Sequence, residues 1–264
     1  MNDDYYENYG SMTPDEYFQK HIIESANENL RFNTAISMIP NNVSSILDIG
    51  CGCGYFLKLL SDKCPINSIG MDIYGRKLEY AKNYFSIKVI KGNGGFLPFK
   101  PQSFDIVTAQ EVLEHLPYVT YNYAIKEIER VAKKYILISV PNNESLHNVI
   151  CPQCNCHFNP NYHFRKYDAE KIKTIFPNFK LKRVEKIGNT EKFIFSDYVT
   201  IITKSNKKFP SFTVCPACGY KESNLNEREK SLCYSNNNNF KRIIKGFIPK
   251  MKRYQWIIAL YRRI

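Results

Sequence analysis

ILDIGCGCG, residues 46–54, says more about this chain than any other stretch. An apolar run ending in Asp48 predicts a buried strand, and the three alternating glycines predict a sharp turn from that strand into a helix. Glycine has no Cβ, so it can adopt a positive φ and lets a ligand approach the main chain, while the helix that follows presents unpaired N–H groups. The stretch therefore predicts a turn that holds a nucleoside-like ligand.

A second strand with an acid near its tip follows this turn. The sequence SIGMDI, residues 68–73, contains Asp72, which lies 22 residues beyond Gly50. The turn reads D-x-G-x-G-x-G, whereas the dinucleotide fingerprint is G-x-G-x-x-G. An acid at the end of the second strand can accept hydrogen bonds from both ribose hydroxyls of a bound nucleoside. The two motifs together favour a nucleoside site over an ordinary tight turn.

Four blocks of the sequence carry a family resemblance. In order, they read ILDIGCGCG, MDIYGRKLEYAK, GNGGFLPFKPQSFDIVTAQEVLEHL and IERVAKKYILISVPN. Over roughly residues 40–205, the chain resembles class I S-adenosylmethionine-dependent methyltransferases of the type 11/23 kind. The resemblance implies a Rossmann-like α/β fold, with a seven-stranded, mostly parallel sheet and helices on both faces. It also implies S-adenosyl-L-methionine as the cofactor.

The resemblance further implies which residues contact that cofactor. Asp48 and the backbone of the glycine turn would surround its methionine end, and Asp72 would bind its ribose. Asn93 stands where relatives usually carry an acid that accepts from the adenine amino group, so its amide oxygen would accept without a charge. The full expected set is Asp48, Gly50, Cys51, Gly52, Gly54, Asp72, Ile73, Asn93, Gly94 and Gln110.

Alternating strand and helix patterns predict the same parallel sheet. One or two helices are expected over Pro14–Ile39, and further helices over Tyr55–Cys64 and Tyr121–Lys133. Strands are expected near 45–49, 68–73, 87–90, 104–109, 135–140, 179–187 and 192–204, the last being antiparallel by family analogy. Four parts follow: an N-terminal helical cap over 1–40, the methyltransferase domain over 41–205 with an insertion at 147–165, a second cysteine knuckle and linker over 206–238, and a tail over 239–264.

Composition bounds the class of protein. The 264 residues are 44% hydrophobic and 14% aromatic, which argues against disorder and allows one large domain with appendages. No apolar run reaches the ~18 residues that span a bilayer, and the acidic, tyrosine-rich start does not read as a signal peptide. We therefore expect a cytoplasmic protein.

The net charge of +12 is concentrated near the end of the chain. Residues 240–264 hold eight basic residues and no acid, whereas the rest has 29 basic and 25 acidic residues. Apolar residues recur there at helical spacing around Trp256, which predicts a basic amphipathic helix. Such a helix could lie on the inner face of a membrane, pack on the domain with a solvated basic face, or contact RNA phosphates.

Two C-P-x-C pairs predict a metal site. Cys151 and Cys154 form the first pair, Cys215 and Cys218 form the second, and 60 residues lie between the two pairs. In a chain expected to be cytosolic, such pairs indicate metal ligands rather than disulfides. Four thiolates suit tetrahedral Zn²⁺, and four protein ligands leave no open position, so the zinc would be structural. The alternatives are two independent thiol pairs, or a site in which Cys156 or His157 replaces a thiolate.

Candidate catalytic residues follow the fourth strand. The sequence E-V-L-E-H supplies Glu111, Glu114 and His115, and a helical turn would place the three on one side. His163 is a further candidate. The pattern resembles the divalent-metal site of small-RNA 2′-O-methyltransferases, which implies a magnesium-like ion. It is also widespread in this fold without an assigned ion, where the same residues would serve as proton acceptors, substrate contacts or structural elements.

These observations together predict a methyltransferase that acts on oxygen or nitrogen of a small-molecule or lipid-linked acceptor, such as a cell-surface glycan. The basic tail motivates the lipid-linked acceptor and an association with the membrane surface. The first alternative is a zinc-containing RNA methyltransferase, with metal-dependent 2′-O transfer as one form of it. A non-catalytic module that keeps the fold in order to bind a partner is a third hypothesis.

Overall fold

The computed structural model describes residues 25–193, 209–210, 213–221 and 250–264. The strands are β1 (Ser45–Ile49), β2 (Asn67–Asp72), β3 (Val89–Lys91), β4 (Phe104–Gln110), β5 (Ala132–Pro141), β6 (Val149–Ile150), β7 (His157–Phe158), β8 (Phe179–Phe193) and β9 (Lys250–Arg263). The helices are α1 (Ala26–Ser37), α2 (Tyr55–Ser61), α3 (Gly75–Phe85), α4 (Tyr118–Val131) and α5 (Ala169–Lys173).

Seven of these strands form one sheet in the order β3-β2-β1-β4-β5-β9-β8. β1 pairs in parallel with β2 and with β4, β2 pairs in parallel with β3, and β4 pairs in parallel with β5. β9 pairs with β5 in the antiparallel direction. The seven-stranded, mostly parallel sheet predicted from the sequence is therefore confirmed, and the carboxyl ends of β1, β2, β4 and β5 meet at one edge.

Buried apolar residues explain why the central strands form. All seven residues of β4 are buried, as are four of the five in β1. Two clusters of buried residues surround the sheet, one built around Leu47, Val107 and Ile138 and the other around Ile46, Leu57 and Leu137. Strands covered on both faces are buried along nearly their whole length, which is the pattern these two segments show.

The helical prediction for the end of the chain is wrong over the residues described. Residues 250–263 form β9, and Trp256 to Tyr261 are six consecutive buried residues between β5 and β8. Among the described residues, the strand antiparallel to β5 is β9, whereas most of the strand predicted over 192–204 cannot be compared. Residues 192–193 belong to β8, and 194–204 lie outside the described residues.

The N-terminal helix agrees with the prediction where it is described. α1 begins after Ser25, whose Oγ accepts a hydrogen bond from the Glu28 N–H at 3.3 Å and so caps the helix. Residues before 25 lie outside the described part. Among the residues described, no helix has the length and apolar character needed to cross a membrane.

The chain divides into two compact units. The larger unit comprises Met12–Glu144, Phe164–Gly188 and Tyr254–Ile264, and it carries the helices and the body of the sheet. The smaller unit includes Ser145–His163 and the described part of 189–253. It holds the hairpin of β6 and β7, an antiparallel bridge between Val214 and Lys221, and its own apolar cluster.

Candidate functional site

The glycine turn between β1 and α2 has two crowded positions, Gly50 and Gly54, and one open position, Gly52. Gly50 has φ +69°, and a Cβ added there would lie 2.3 Å from Val112 Cγ2. Gly52 has φ +54°, and a Cβ added there would meet no atom within 4 Å. Both positions need glycine for their backbone conformation. Only Gly52 leaves space beside the main chain, so it is the position that a ligand can approach.

Asp72, at the end of β2, holds this turn in place. Its Oδ2 accepts a hydrogen bond from the Gly52 N–H at 2.8 Å, and its Oδ1 accepts one from the Tyr74 N–H at 2.9 Å. The side chain is buried. A carboxylate offers about four lone-pair sites, so two remain for hydroxyl donors. The residue expected to bind ribose therefore also orders the backbone that would face the cofactor.

Asp48 is a buried acid in the middle of the sheet's carboxyl edge. It lies in register with Thr108 of β4, whose hydroxyl donates to Asp48 Oδ1 at 2.6 Å. Burial raises the pKa of Asp48 to about 7 and the nearby Asp72 charge adds to the rise, while the Thr108 hydrogen bond opposes it. The pKa of Asp48 therefore lies near neutral pH rather than near 4.

Cofactor affinity should depend on pH because of Asp48. A positively charged sulfonium compound favours the ionised acid, so we expect S-adenosylmethionine to bind roughly tenfold more tightly at pH 8 than at pH 6. The raised pKa has the opposite effect on stability. In the folded chain Asp48 holds a proton that it loses near pH 4 in the unfolded chain. The stabilisation of the folded state by this bound proton is therefore complete below pH ~4 and is lost as the pH rises to about 7. Calorimetric titrations at both pH values check the first effect.

The control for this prediction is Asp48→Asn, which cannot ionise. Its affinity for S-adenosylmethionine should be lower than that of the unchanged chain and nearly independent of pH over the same range. An equal pH dependence in both proteins would show that another group is responsible.

Two further residues expected to contact the cofactor lie at the same edge. Asn93 follows β3, and its Oδ1 accepts a hydrogen bond from the Gly95 N–H at 2.9 Å, so the amide oxygen shapes its own loop. Gln110 ends β4 and is buried, and its Nε2 has no partner among the described residues. The Cys51 side chain is buried, the Ile73 side chain is exposed, and a Cβ on Gly94 would lie 3.4 Å from Ile49 Cγ2.

The segment after β4 is not the helical turn that the spacing of E-V-L-E-H predicts. α4 begins only at Tyr118, and Glu111 has φ +57°. Glu111 Oε2 accepts from Trp256 Nε1 at 2.8 Å, and its Oε1 accepts from the Ser139 hydroxyl at 3.3 Å. Because both oxygens accept hydrogen bonds, this carboxylate is held in one orientation by β5 and β9.

Glu114 has a different environment. Its side chain is fully buried, and neither carboxylate oxygen has a hydrogen-bond partner among the described residues. Burial, and after it the charge of Glu111, raises the pKa of Glu114 well above its usual range. His115 follows in the same turn, and its backbone N–H donates to the Val112 carbonyl at 3.0 Å. His163 lies in the smaller unit, where its backbone N–H donates to Asn159 Oδ1 at 3.3 Å.

Sequence reasoning missed Arg31, the buried cation of this site. Its Nη1 donates to the Ser139 hydroxyl at 3.0 Å and to Gln110 Oε1 at 3.5 Å. Its guanidinium lies 5.7 Å from the centre of the Trp256 ring. Arg31 thus connects α1 to the carboxyl ends of β4 and β5 and to β9. An arginine within an amphipathic helix carries no motif, so only the fold reveals this role.

The four cysteines of the two C-P-x-C pairs come together in the smaller unit. Their sulfur atoms all lie within 4.8 Å of one another, with Cys151 and Cys218 at 3.6 Å and Cys154 and Cys215 at 3.5 Å. A tetrahedral ion with metal–sulfur bonds of about 2.3 Å needs sulfur atoms about 3.8 Å apart. The quartet therefore fits a tetrahedral ion such as Zn²⁺.

Both cysteine pairs adopt the same local geometry. The Cys151 N–H donates to the Cys156 carbonyl, and the Cys215 N–H donates to the Tyr220 carbonyl, each at 2.9 Å. The residue after each pair, Asn155 or Gly219, has a positive φ. These hydrogen bonds close two matching knuckles. Cys156 contributes a backbone oxygen here, and neither it nor His157 belongs to the quartet found among the described residues.

Comparison with known proteins agrees with the fold. Residues 47–137 match the family described as "Methyltransferase domain". An uncharacterized protein of Methanocaldococcus jannaschii is 39% identical over 88 residues, which cover 33% of this chain and 32% of that protein. A human protein named probable tRNA methyltransferase 9B is 30% identical over 126 residues, which cover 48% of this chain and 24% of that protein. Demethylmenaquinone methyltransferase of Lactococcus lactis is 37% identical over 97 residues, covering 34% and 38%.

Solved structures share the fold over most of the chain. A SAM-dependent methyltransferase from Archaeoglobus fulgidus aligns with a TM-score of 0.56 and 19% identity, covering 95% of this chain and all of that one. The match spans only about a quarter to two-fifths of the length of the curated relatives above. The sequence match over residues 47–137, the strand order and the glycine turn all agree with a class I S-adenosylmethionine-dependent methyltransferase domain.

Proposed function

We propose that this protein transfers a methyl group from S-adenosylmethionine to an oxygen or nitrogen atom of an acceptor. The observation that carries the proposal is the open position at Gly52, with Asp48 and Asp72 beside it at the carboxyl edge of the sheet. Asp48 would face the cationic methionine end of the cofactor and Asp72 its ribose. The bound cofactor supplies a methyl group that its sulfonium already activates.

The chain's own residues would then position the acceptor and remove its proton. Glu114 is the candidate proton acceptor, since its buried carboxylate has no hydrogen-bond partner among the described residues. Glu111 is better suited to positioning, because Ser139 and Trp256 hold both its oxygens. The same two hydrogen bonds argue against Glu111 as a ligand of a magnesium-like ion, and we carry no such ion into the proposal. His115 stays a candidate for acceptor contact, and the role expected of His163 stays a prediction.

Three classes of acceptor differ in the observations that support them. A small-molecule acceptor agrees with the relative named demethylmenaquinone methyltransferase. The lipid-linked acceptor was argued from an amphipathic tail, and the apolar residues of that tail over 256–261 are buried in the sheet instead. An RNA acceptor agrees with relatives named probable tRNA methyltransferase 9B in human and mouse. We therefore favour RNA over the lipid-linked acceptor.

The four-cysteine site has a structural role in this proposal. Four thiolates at tetrahedral separations would hold one Zn²⁺ without an open coordination position. Such an ion would join the two knuckles of the smaller unit and take no part in methyl transfer.

One experiment tests the proposal and sorts the acceptors. The protein is incubated with methyl-labelled S-adenosylmethionine and fractionated cell extract, and the label is followed into RNA, lipid, protein and soluble metabolites. We expect incorporation that disappears in the Asp72→Ala variant, because that variant loses the contact that orders Gly52. A protein that fails to bind S-adenosylmethionine in a calorimetric titration would be a non-catalytic module, and the proposal would fail.

A further inference from the structure

The loop that follows β3 and the outer face of α4 together form an exposed aromatic surface. Its members are Phe96, which is 70% exposed, Val119, also 70% exposed, Tyr123, which is 49% exposed, and Lys126. The rings of Phe96 and Tyr123 stack with their centroids 5.7 Å apart and an angle of 25° between their planes. Large apolar side chains this exposed and this close together mark a surface that binds something.

A cavity opens at this surface. Its volume is about 420 Å³, and it is lined by Gly95, Phe96, Leu97, Pro98, Tyr123, Lys126 and Glu127. The size falls within the range of small-ligand sites, and two of its walls are the stacked rings. The cavity can therefore receive a flat group that packs against an aromatic ring.

The charges beside the cavity favour a negatively charged partner. Glu127 forms an ion pair with Arg130, with Nε and Oε1 2.6 Å apart, and its other oxygen accepts from the Leu97 N–H at 2.8 Å. Its charge is thus already balanced, and Lys126 adds a net positive charge at the opening. A lysine beside exposed rings is the combination by which proteins bind single-stranded nucleic acid, with bases on the rings and phosphates at the cation.

The surface is continuous with the candidate cofactor site. Asn93, the residue expected to face the adenine ring, accepts a hydrogen bond from the N–H of Gly95, which begins the cavity wall. Gly95 in turn packs against α4, since a Cβ there would lie 3.5 Å from Tyr123 Cβ. A strand of nucleic acid bound along this surface would reach the edge of the sheet where the methyl donor is expected.

We propose that Phe96, Val119, Tyr123 and Lys126 form a binding surface for single-stranded RNA, with a base stacked on the aromatic pair and a phosphate at Lys126. The inference rests on the proposed methyltransferase function and names its acceptor class. Val119 lies one helical turn before Tyr123 and extends the apolar side of the surface.

The test measures binding of a short fluorescein-labelled single-stranded RNA to the full chain at low salt by anisotropy. We expect Phe96→Ala combined with Tyr123→Ala to weaken binding roughly tenfold or more, because each stacked base contributes substantially to affinity. Lys126→Glu should weaken binding too and reduce its dependence on salt.

Tyr84→Ala is the matched control. Tyr84 is 64% exposed and stacks on Tyr80 with centroids 4.2 Å apart, but it does not line the cavity. Its replacement should leave RNA binding unchanged, whereas an equal loss in this variant would overturn the proposal. RNA binding that the double variant retains would also overturn it, as would capture of a protein partner on this surface with no RNA bound.

A parallel titration with S-adenosylmethionine separates this inference from the proposed function. The double variant should bind the cofactor as the unchanged chain does. Cofactor binding lost in the double variant, with RNA binding intact, would assign the cavity to the cofactor and overturn the inference alone. An unchanged chain that binds RNA but no S-adenosylmethionine would instead overturn the proposed function.

Discussion

Cys215→Ser should lower the zinc content of the purified protein from about one ion per chain to almost none. Cys215 is buried in the apolar cluster of the smaller unit, with its sulfur 3.5 Å from that of Cys154. Structural zinc contributes about 10–16 kcal/mol of binding free energy in small zinc-dependent folds, so its loss should unfold the segments that the knuckles join. Elemental analysis gives the zinc content, and visible absorption after exchange into Co²⁺ reports tetrahedral thiolate coordination.

Cys156→Ser is the control for the metal prediction. Cys156 lies two residues after the first pair and provides a backbone oxygen to Cys151, but its thiol is not part of the quartet. The variant should keep its zinc and its Co²⁺ spectrum. Zinc lost from Cys156→Ser and retained in Cys215→Ser would mean that the ligand set is different, with Cys156 in place of a predicted thiolate.

The central sheet was predictable because its strands are short apolar runs that end at turn residues. β1 is observed at the residues predicted, β2 is shifted by one residue at both ends, and β4 extends one residue further than predicted. The last strand was not predictable in this way. Trp256 to Tyr261 form a continuous apolar run, and such a run has no period that separates a buried strand from one face of a helix. The basic residues around it then favoured an amphipathic helix.

In the candidate site, too, only the residues marked by a local sequence pattern could be predicted. The cysteine pairs could be predicted to meet because thiolates at C-P-x-C spacing need a common ion, whatever chain lies between them. The hydrogen bonds of Glu111 could not be predicted, since its partners Ser139 and Trp256 lie 28 and 145 residues away in the sequence and no local pattern marks them. The positive φ of Glu111 likewise breaks the helical spacing that would have grouped it with Glu114 and His115.

Gly52→Ala should fold and lose most of its affinity for S-adenosylmethionine. A Cβ at this position meets no protein atom within 4 Å, so the variant bears only the cost of a positive φ, about 1–2 kcal/mol. The added methyl group occupies the open side that the cofactor must approach, and we expect at least roughly tenfold weaker binding. Thermal unfolding and calorimetric titration measure the two effects separately.

Two other glycines make this prediction specific. Gly219→Ala has the same kind of backbone, with φ +74° and open space around its Cβ, so it should show the same stability cost with cofactor binding unchanged. Gly50→Ala places its Cβ 2.3 Å from Val112 Cγ2, and the overpacking should cost about 1–3 kcal/mol beyond the cost of the positive φ. If Gly52→Ala bound S-adenosylmethionine as tightly as Gly219→Ala does, the open side of the turn would not be where the cofactor lies. The assignment of Asp48 and Asp72 as its neighbours would then have no support from this turn.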